Sequence, residues 1–221
     1  MPLVVKICGL TTYEAVDAAI GAGADMVGFV FFEASPRHVP LLRAVELVNH
    51  ARDRAETVVL TVDADAATIE QIAVAVEPDW IQLHGHEPPD TVRAIRRIHA
   101  LKVMKALPVA VRDDLAAVER YVDAADRILF DARPPRDATR PGGHGVPFDW
   151  HLLKGLDPAL PFMLSGGLTP DNVAEAMRIT GATAIDASSG VESAPGLKDA
   201  EKIEAFIRAA DRAYLEIAPP L

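Results

Sequence analysis

Short apolar stretches rich in branched residues alternate along this chain with alanine-rich stretches whose apolar positions recur at helical spacing. The first kind predicts strands at 3–8, 25–32, 57–62, 80–84, 101–106, 127–131, 162–165 and 184–187. The second predicts helices at 13–22, 41–52, 66–76, 90–99, 113–124, 148–153, 170–180 and 198–214. Strand–helix alternation implies parallel strands joined by helical crossovers. The segment 26–32 is apolar on both faces, as a strand covered by helices requires. Helix boundaries carry matching signals. Thr11 or Thr12 caps the first helix, with Glu14 in its first turn, and Thr169 stands before Pro170 as a cap followed by proline. Gly21 and Gly23 end the first helix and Gly181 the seventh. About eight such units is the number that closes a barrel, so the expectation is an α/β chain folded as one (β/α)8 (TIM) barrel domain over 1–221. An open doubly wound sheet is the alternative, but no Gly-x-Gly-x-x-Gly follows the first strand. The longest irregular stretch, 132–147, is rich in Pro, Gly and Arg and reads as a lid or binding loop.

Composition adds three constraints. A chain of 221 residues, half of them hydrophobic, buries enough core to need no metal or disulfide staple. Its one cysteine, Cys8, forms no intramolecular disulfide and fits a reducing cytoplasm. The formal charge of −10 argues against a nucleic-acid binder, and it requires that any anionic ligand be held by local donors. No apolar run is long enough to span a bilayer and no signal peptide is evident, so a cytoplasmic protein without a membrane partner is expected. Exposed helix faces read as polar. A monomer is the expectation and a dimer the alternative.

In such a barrel chemistry sits on the loops after the strands. The first strand ends in Lys6-Ile7-Cys8-Gly9, where Lys6 and Cys8 share a face and the lysine could lower the thiol's pKa. A buried structural cysteine is the competing reading. The sixth strand ends in Phe130-Asp131, a carboxyl placed to act as a general acid or merely to cap loop amides. Ser165-Gly166-Gly167-Leu168 and Ser188-Ser189-Gly190-Val191-Glu192 follow the seventh and eighth strands, where barrels bind phosphate through loop amides. Taken singly, each is an ordinary tight turn. Arg37 follows the second strand and could grip a carboxylate, although a loop arginine is more often solvated. His84 and His86 flank Gly85, but no further ligands gather near them, so no metal is expected and His84 should line the barrel.

Together these segments resemble the phosphoribosylanthranilate isomerase family. The matching pieces include Lys6-Ile7-Cys8-Gly9-Leu10-Thr11, Gly28-Phe29-Val30-Phe31, Ser35-Pro36-Arg37, Gln82-Leu83-His84-Gly85, Phe130-Asp131, Ser165-Gly166-Gly167-Leu168, Ser188-Ser189-Gly190-Val191-Glu192 and Pro195-Gly196-Leu197-Lys198-Asp199. They run from the first strand to the last helix. The resemblance implies an Amadori rearrangement in tryptophan biosynthesis, with no cofactor. It makes Cys8 the base and Asp131 the acid. It gives Arg37 the anthranilate carboxylate, and gives Gly167, Ser188, Ser189 and Gly190 the phosphate; Gly166 and His84 would also contact the substrate. One departure stands in Gly142-Gly143-His144-Gly145, where the family usually has a small hydroxyl residue in place of His144. Two other readings compete. A Schiff-base aldolase would need Lys6 or Lys105 as a desolvated strand lysine. A non-catalytic phosphate-binding barrel would keep the loops but need neither Cys8 nor Asp131.

Overall fold

Eight parallel strands pair in sequence order, and the last returns to the first. In the computed structural model, which describes residues 2–134, 142, 143, 145, 147–157 and 159–217, the strands are β1 (Val4–Cys8), β2 (Met26–Phe31), β3 (Glu56–Thr61), β4 (Trp80–Leu83), β5 (Lys102–Val109), β6 (Arg127–Ala132), β7 (Phe162–Leu164) and β8 (Ala184–Ala187). Val4 pairs with Ala184 and Lys6 with Asp186, which closes the barrel. The helices are α1 (Tyr13–Ala22), α2 (Leu41–Ala51), α3 (Ala66–Gln71), α4 (Pro89–His99), α5 (Val118–Tyr121), α6 (Val173–Thr180) and α7 (Ala200–Ile217).

Strand alternation sorts the core into two parts. Met26, Val58, Trp80, Met104, Leu129, Met163 and Ala184 fill the barrel interior. Residues of the opposite parity, such as Val5, Ile7, Val27, Phe29, Val59 and Ile81, pack outward against the helices. Val4, Lys6 and Cys8 therefore point inward, with Cys8 uppermost.

Several boundaries differ from the sequence expectation. β5 runs past Ala106 through Pro108 to Val109, because β4 ends opposite Lys105 and leaves one edge free, where a missing N–H is tolerated. The expected helix over 113–124 is a 3-10 turn, Arg112–Ala117, followed by the short α5. Asp114 accepts from the backbone N–H groups of Ala110 and Val111, a local alternative to a regular first turn. Only a 3-10 turn, Trp150–Leu153, forms where 148–153 was expected to be helical. Thr12 caps α1 as expected, accepting from Ala15 N–H. Thr169 does not cap α6. Asn172 instead accepts from the Thr169 N–H and donates to the Gly167 carbonyl, and this turn delays the helix to Val173. Lys198 belongs not to the last helix but to a small antiparallel hairpin, β9 (Glu192–Ala194) and β10 (Leu197–Lys198). His144 lies outside the described residues, as does much of 132–147.

Candidate active site

The C-terminal strand ends open onto a cleft of about 670 Å³, its mouth included. Cys8, Arg37, His84 and Asp131 line it together with Gly166, Gly167, Ser188, Ser189 and Gly190. These nine residues, drawn from separate strands and loops, thus face one cavity. Asp131 on β6 is three strands round the barrel from Cys8, counting through β7 and β8.

Cys8 is buried beside two cations. Its environment differs from the expectation that Lys6 would lower the thiol pKa. Burial pushes the Cys8 thiol up, and the pull of Lys6 and Lys198 only partly offsets this, with Asp186 adding to the rise. The thiol is therefore the resting form of the empty site at neutral pH. Because this is the chain's sole cysteine, alkylation by iodoacetamide reads it cleanly. The rate is expected to stay low at neutral pH and to climb only above the ordinary thiol range near about 8.5. A plateau already reached at pH 7 would show a stabilised thiolate instead.

Beneath Cys8, Lys6 is fully buried and its Nζ donates to Asp186 Oδ1 at 2.9 Å. Asp186 lines the cleft and accepts from Ser165 Oγ at 3.1 Å. Burial alone would lower the Lys6 pKa, but the Asp186 carboxylate and Cys8 outweigh it and leave it raised. A firmly protonated amine is no Schiff-base nucleophile. Lys105, the other candidate for that chemistry, points out of the barrel. Its Nζ donates to the Gly85 carbonyl at 2.7 Å and to Glu87 at 2.8 Å, and Tyr121 lies alongside. It holds the loop after β4 from behind.

Arg37 is buried rather than solvated. Its Nε and Nη2 donate to the two carboxylate oxygens of Glu192 at 2.7 and 2.8 Å. Burial would raise the Glu192 pKa, but Arg37 and Lys198 bring it below the usual carboxylate range, so the grip is ionic. Lys198 Nζ also donates to Glu192, at 2.8 Å, and to the Ser188 carbonyl at 2.9 Å. The hairpin thereby ties the arginine to the loop after β8. That loop packs backbone to backbone on the one after β7. A Cβ added to Gly190 would overlap the Leu168 carbonyl oxygen, so only glycine lets the two loops meet.

His84 Nε2 stands 3.1 Å from Asp131 Oδ2, and Gln82 Nε2 donates to His84 Nδ1 at 2.9 Å. Gln82, Asp186, Glu192 and Lys198 are functional neighbours that sequence reasoning missed. Glu192 and Lys198 lie inside the matching segments, and Asp186 shares the inward parity of Ala184.

The family model for N-(5'phosphoribosyl)anthranilate (PRA) isomerase matches residues 5–209. The N-(5'-phosphoribosyl)anthranilate isomerase of Rhodopseudomonas palustris (strain BisA53) is 64% identical over 210 residues, covering 95% of this chain and 96% of its own. The protein of that name from Afipia carboxidovorans is 60% identical, with 95% and 90% covered. Among solved structures, phosphoribosyl anthranilate isomerase from Thermotoga maritima superposes with a TM-score of 0.86 at 33% identity, covering 95% of this chain and 99% of that one. Another, in complex with reduced 1-(o-carboxyphenylamino)-1-deoxyribulose 5-phosphate, gives 0.83 at 32% identity with the same coverage. On the matched family model and these near full-length identities, the chain belongs to the N-(5'-phosphoribosyl)anthranilate isomerase family.

Proposed function

We propose that Cys8 is the base and Asp131 the acid in the isomerisation of N-(5-phosphoribosyl)anthranilate that this chain carries out in tryptophan biosynthesis. The observation that supports these roles is the shared cleft, which brings a thiol and a carboxylic acid to one small-molecule site from strands on different sides of the barrel. Asp131 protonates the furanose ring oxygen. The C1′–O bond breaks with its electron pair moving to that oxygen, and the anilino nitrogen lone pair forms the iminium. Cys8 then takes the C2′ proton, and the electrons flow into the iminium to give the enolamine. Loss of the 2′-hydroxyl proton and protonation at C1′ give 1-(2-carboxyphenylamino)-1-deoxyribulose 5-phosphate. Two protons are added and two removed, so the cycle closes without a cofactor.

Burial of Cys8 suits this order of events. The thiol stays protonated in the free enzyme; once the ring has opened, the positive iminium beside it favours the thiolate, the thiol proton leaves to solvent before Cys8 takes the C2′ proton, and solvent returns one proton at C1′. Arg37 binds the anthranilate carboxylate. Glu192 engages Nε and Nη2 and so fixes the plane of the guanidinium at the cleft. Gly166, Gly167, Ser188, Ser189 and Gly190 hold the phosphate through converging loop donors. His84 forms the wall beside Asp131. Arg37→Ala is expected to raise KM more than it lowers kcat. An unchanged KM would mean that the carboxylate is held elsewhere.

The protein acts as a monomer in this reading. Its exposed large hydrophobics are scattered over separate elements, with Leu42 on α2, Ile98 on α4 and Leu215 on α7, and do not line up on one element. Among the related structures is one of monomers generated from the dimeric enzyme of Thermotoga maritima, which makes the question concrete. Sedimentation equilibrium should return the single-chain mass of 23.7 kDa. Twice that mass would refute the monomer.

A further inference from the structure

Gln82 is fully buried, and its Oε1 has no hydrogen-bond partner among the described residues. Its Nε2 meets His84 Nδ1, whose ring in turn meets Asp131. We propose that the acid of the reaction is not Asp131 alone but the Asp131–His84 pair, which stores one proton, with the Gln82 amide turning to follow it. This rests on the reading of Asp131 as the acid.

With Gln82 Nε2 donating to Nδ1, the ring's hydrogen is on Nε2 and donates to an Asp131 carboxylate. That is the pair after it has given its proton away. When the pair is loaded, the extra proton lies between Asp131 Oδ2 and His84 Nε2. Whichever of them holds it, His84 Nδ1 then carries a hydrogen and needs an acceptor. A half-turn of the Gln82 amide supplies Oε1 and breaks no other hydrogen bond among the described residues, where the far end of that amide has no partner. An amide anchored at both ends would lock one tautomer; this one serves both.

The transfer balances. The loaded pair gives one proton to the ring oxygen as the C1′–O bond breaks, becoming a carboxylate and a neutral imidazole. The proton released from the 2′-hydroxyl later in the cycle reloads it. Gly142 packs against this hydrogen bond, since a Cβ there would come within 2.7 Å of Asp131 Oδ2 and 3.1 Å of His84 Nε2. Among the described residues, the other ionisable groups facing the cleft are Cys8 on β1, Arg37 after β2, and Asp186 on β8 with Lys6 beneath it, while β3 and the residue after it contribute Leu60 and Val62. Behind the β4 loop stand Glu87 with Lys105 and Asp63 with His86, and beside Asp131 stands Arg133 with Asp114.

Gln82→Glu tests this. A carboxylate at that position always accepts from Nδ1–H and attracts the imidazolium, so it favours the loaded pair. In single-turnover rates against pH, one limb should move up by about one unit while the other, set by Cys8, stays in place. The shift should vanish in a Gln82→Glu, His84→Gln double variant. A shift that persists there means that the new charge acts on Asp131 through space, which overturns the proposal. An unmoved profile in a folded Gln82→Glu protein overturns it too. If that variant does not fold, Gln82→Met, uncharged and similar in size, should cut the single-turnover rate about tenfold or more with KM unchanged, and a wild-type profile from it is equally fatal. Asp131→Asn separates the two levels. Full turnover in it sinks the acid reading itself, whereas an inactive Asp131→Asn beside an unmoved Gln82→Glu profile sinks only the pair.

Discussion

Asp131→Asn is expected to lower kcat by about 10²–10⁴-fold, the usual worth of a positioned general acid, while product affinity stays within a few-fold of wild type. The amide keeps the size of the carboxyl. Its oxygen still accepts from the Ala132 N–H, as Oδ1 does at 2.9 Å, and its other end still reaches His84. What it loses is the exchangeable proton. Without that proton the leaving ring oxygen departs as an alkoxide, and the iminium does not form at a useful rate. Steady-state kinetics and titration with product analogue check both halves. Near-normal kcat would remove Asp131 from the chemistry, and lost affinity with normal kcat would recast it as a binding group.

Cys8→Ala should cost a similar factor, about 10²–10⁴-fold in kcat. The thiol is almost fully buried among Lys6, Lys198 and Gly28, and a Cβ on Gly28 would come within 2.8 Å of its Sγ. Alanine leaves a hole the size of one sulfur there and removes the only group assigned to the C2′ proton. Thermal unfolding of the variant separates a lost base from a lost fold. The hole should cost on the order of 1 kcal/mol, far too little to unfold a domain of this size. A variant that folds normally and turns over normally would place the base elsewhere, with Asp186 the other carboxylate lining the cleft besides Asp131 among the described residues.

The barrel was legible because each strand is a short apolar run and each crossover an alanine-rich one, a pattern that depends on neighbours in sequence. The same local logic pointed to Cys8, Asp131 and the two glycine-rich loops, which all line the cleft at the strand ends. What it missed depends on closure. Lys6 and Asp186 are 180 residues apart and meet only because β1 pairs with β8. Arg37 and Glu192 are 155 apart, so sequence showed a loop arginine and not the partner that buries it. The direction of the Cys8 shift failed for a related reason. A nearby lysine is visible in Lys6-Ile7-Cys8, but burial is a property of the assembled barrel, and here burial outweighs charge. Thr169 misled because the Asn172 side chain, three residues on, binds the Thr169 N–H and the Gly167 carbonyl and holds this stretch as a turn, so the helix starts only at Val173.

The most direct test of the central claim is the decay of anthranilate-derived fluorescence when freshly made phosphoribosylanthranilate meets excess protein, wild type beside Cys8→Ala. Rapid decay is expected with wild type and decay slower by about a hundredfold or more with the variant. Decay at the wild-type rate in Cys8→Ala would contradict that claim.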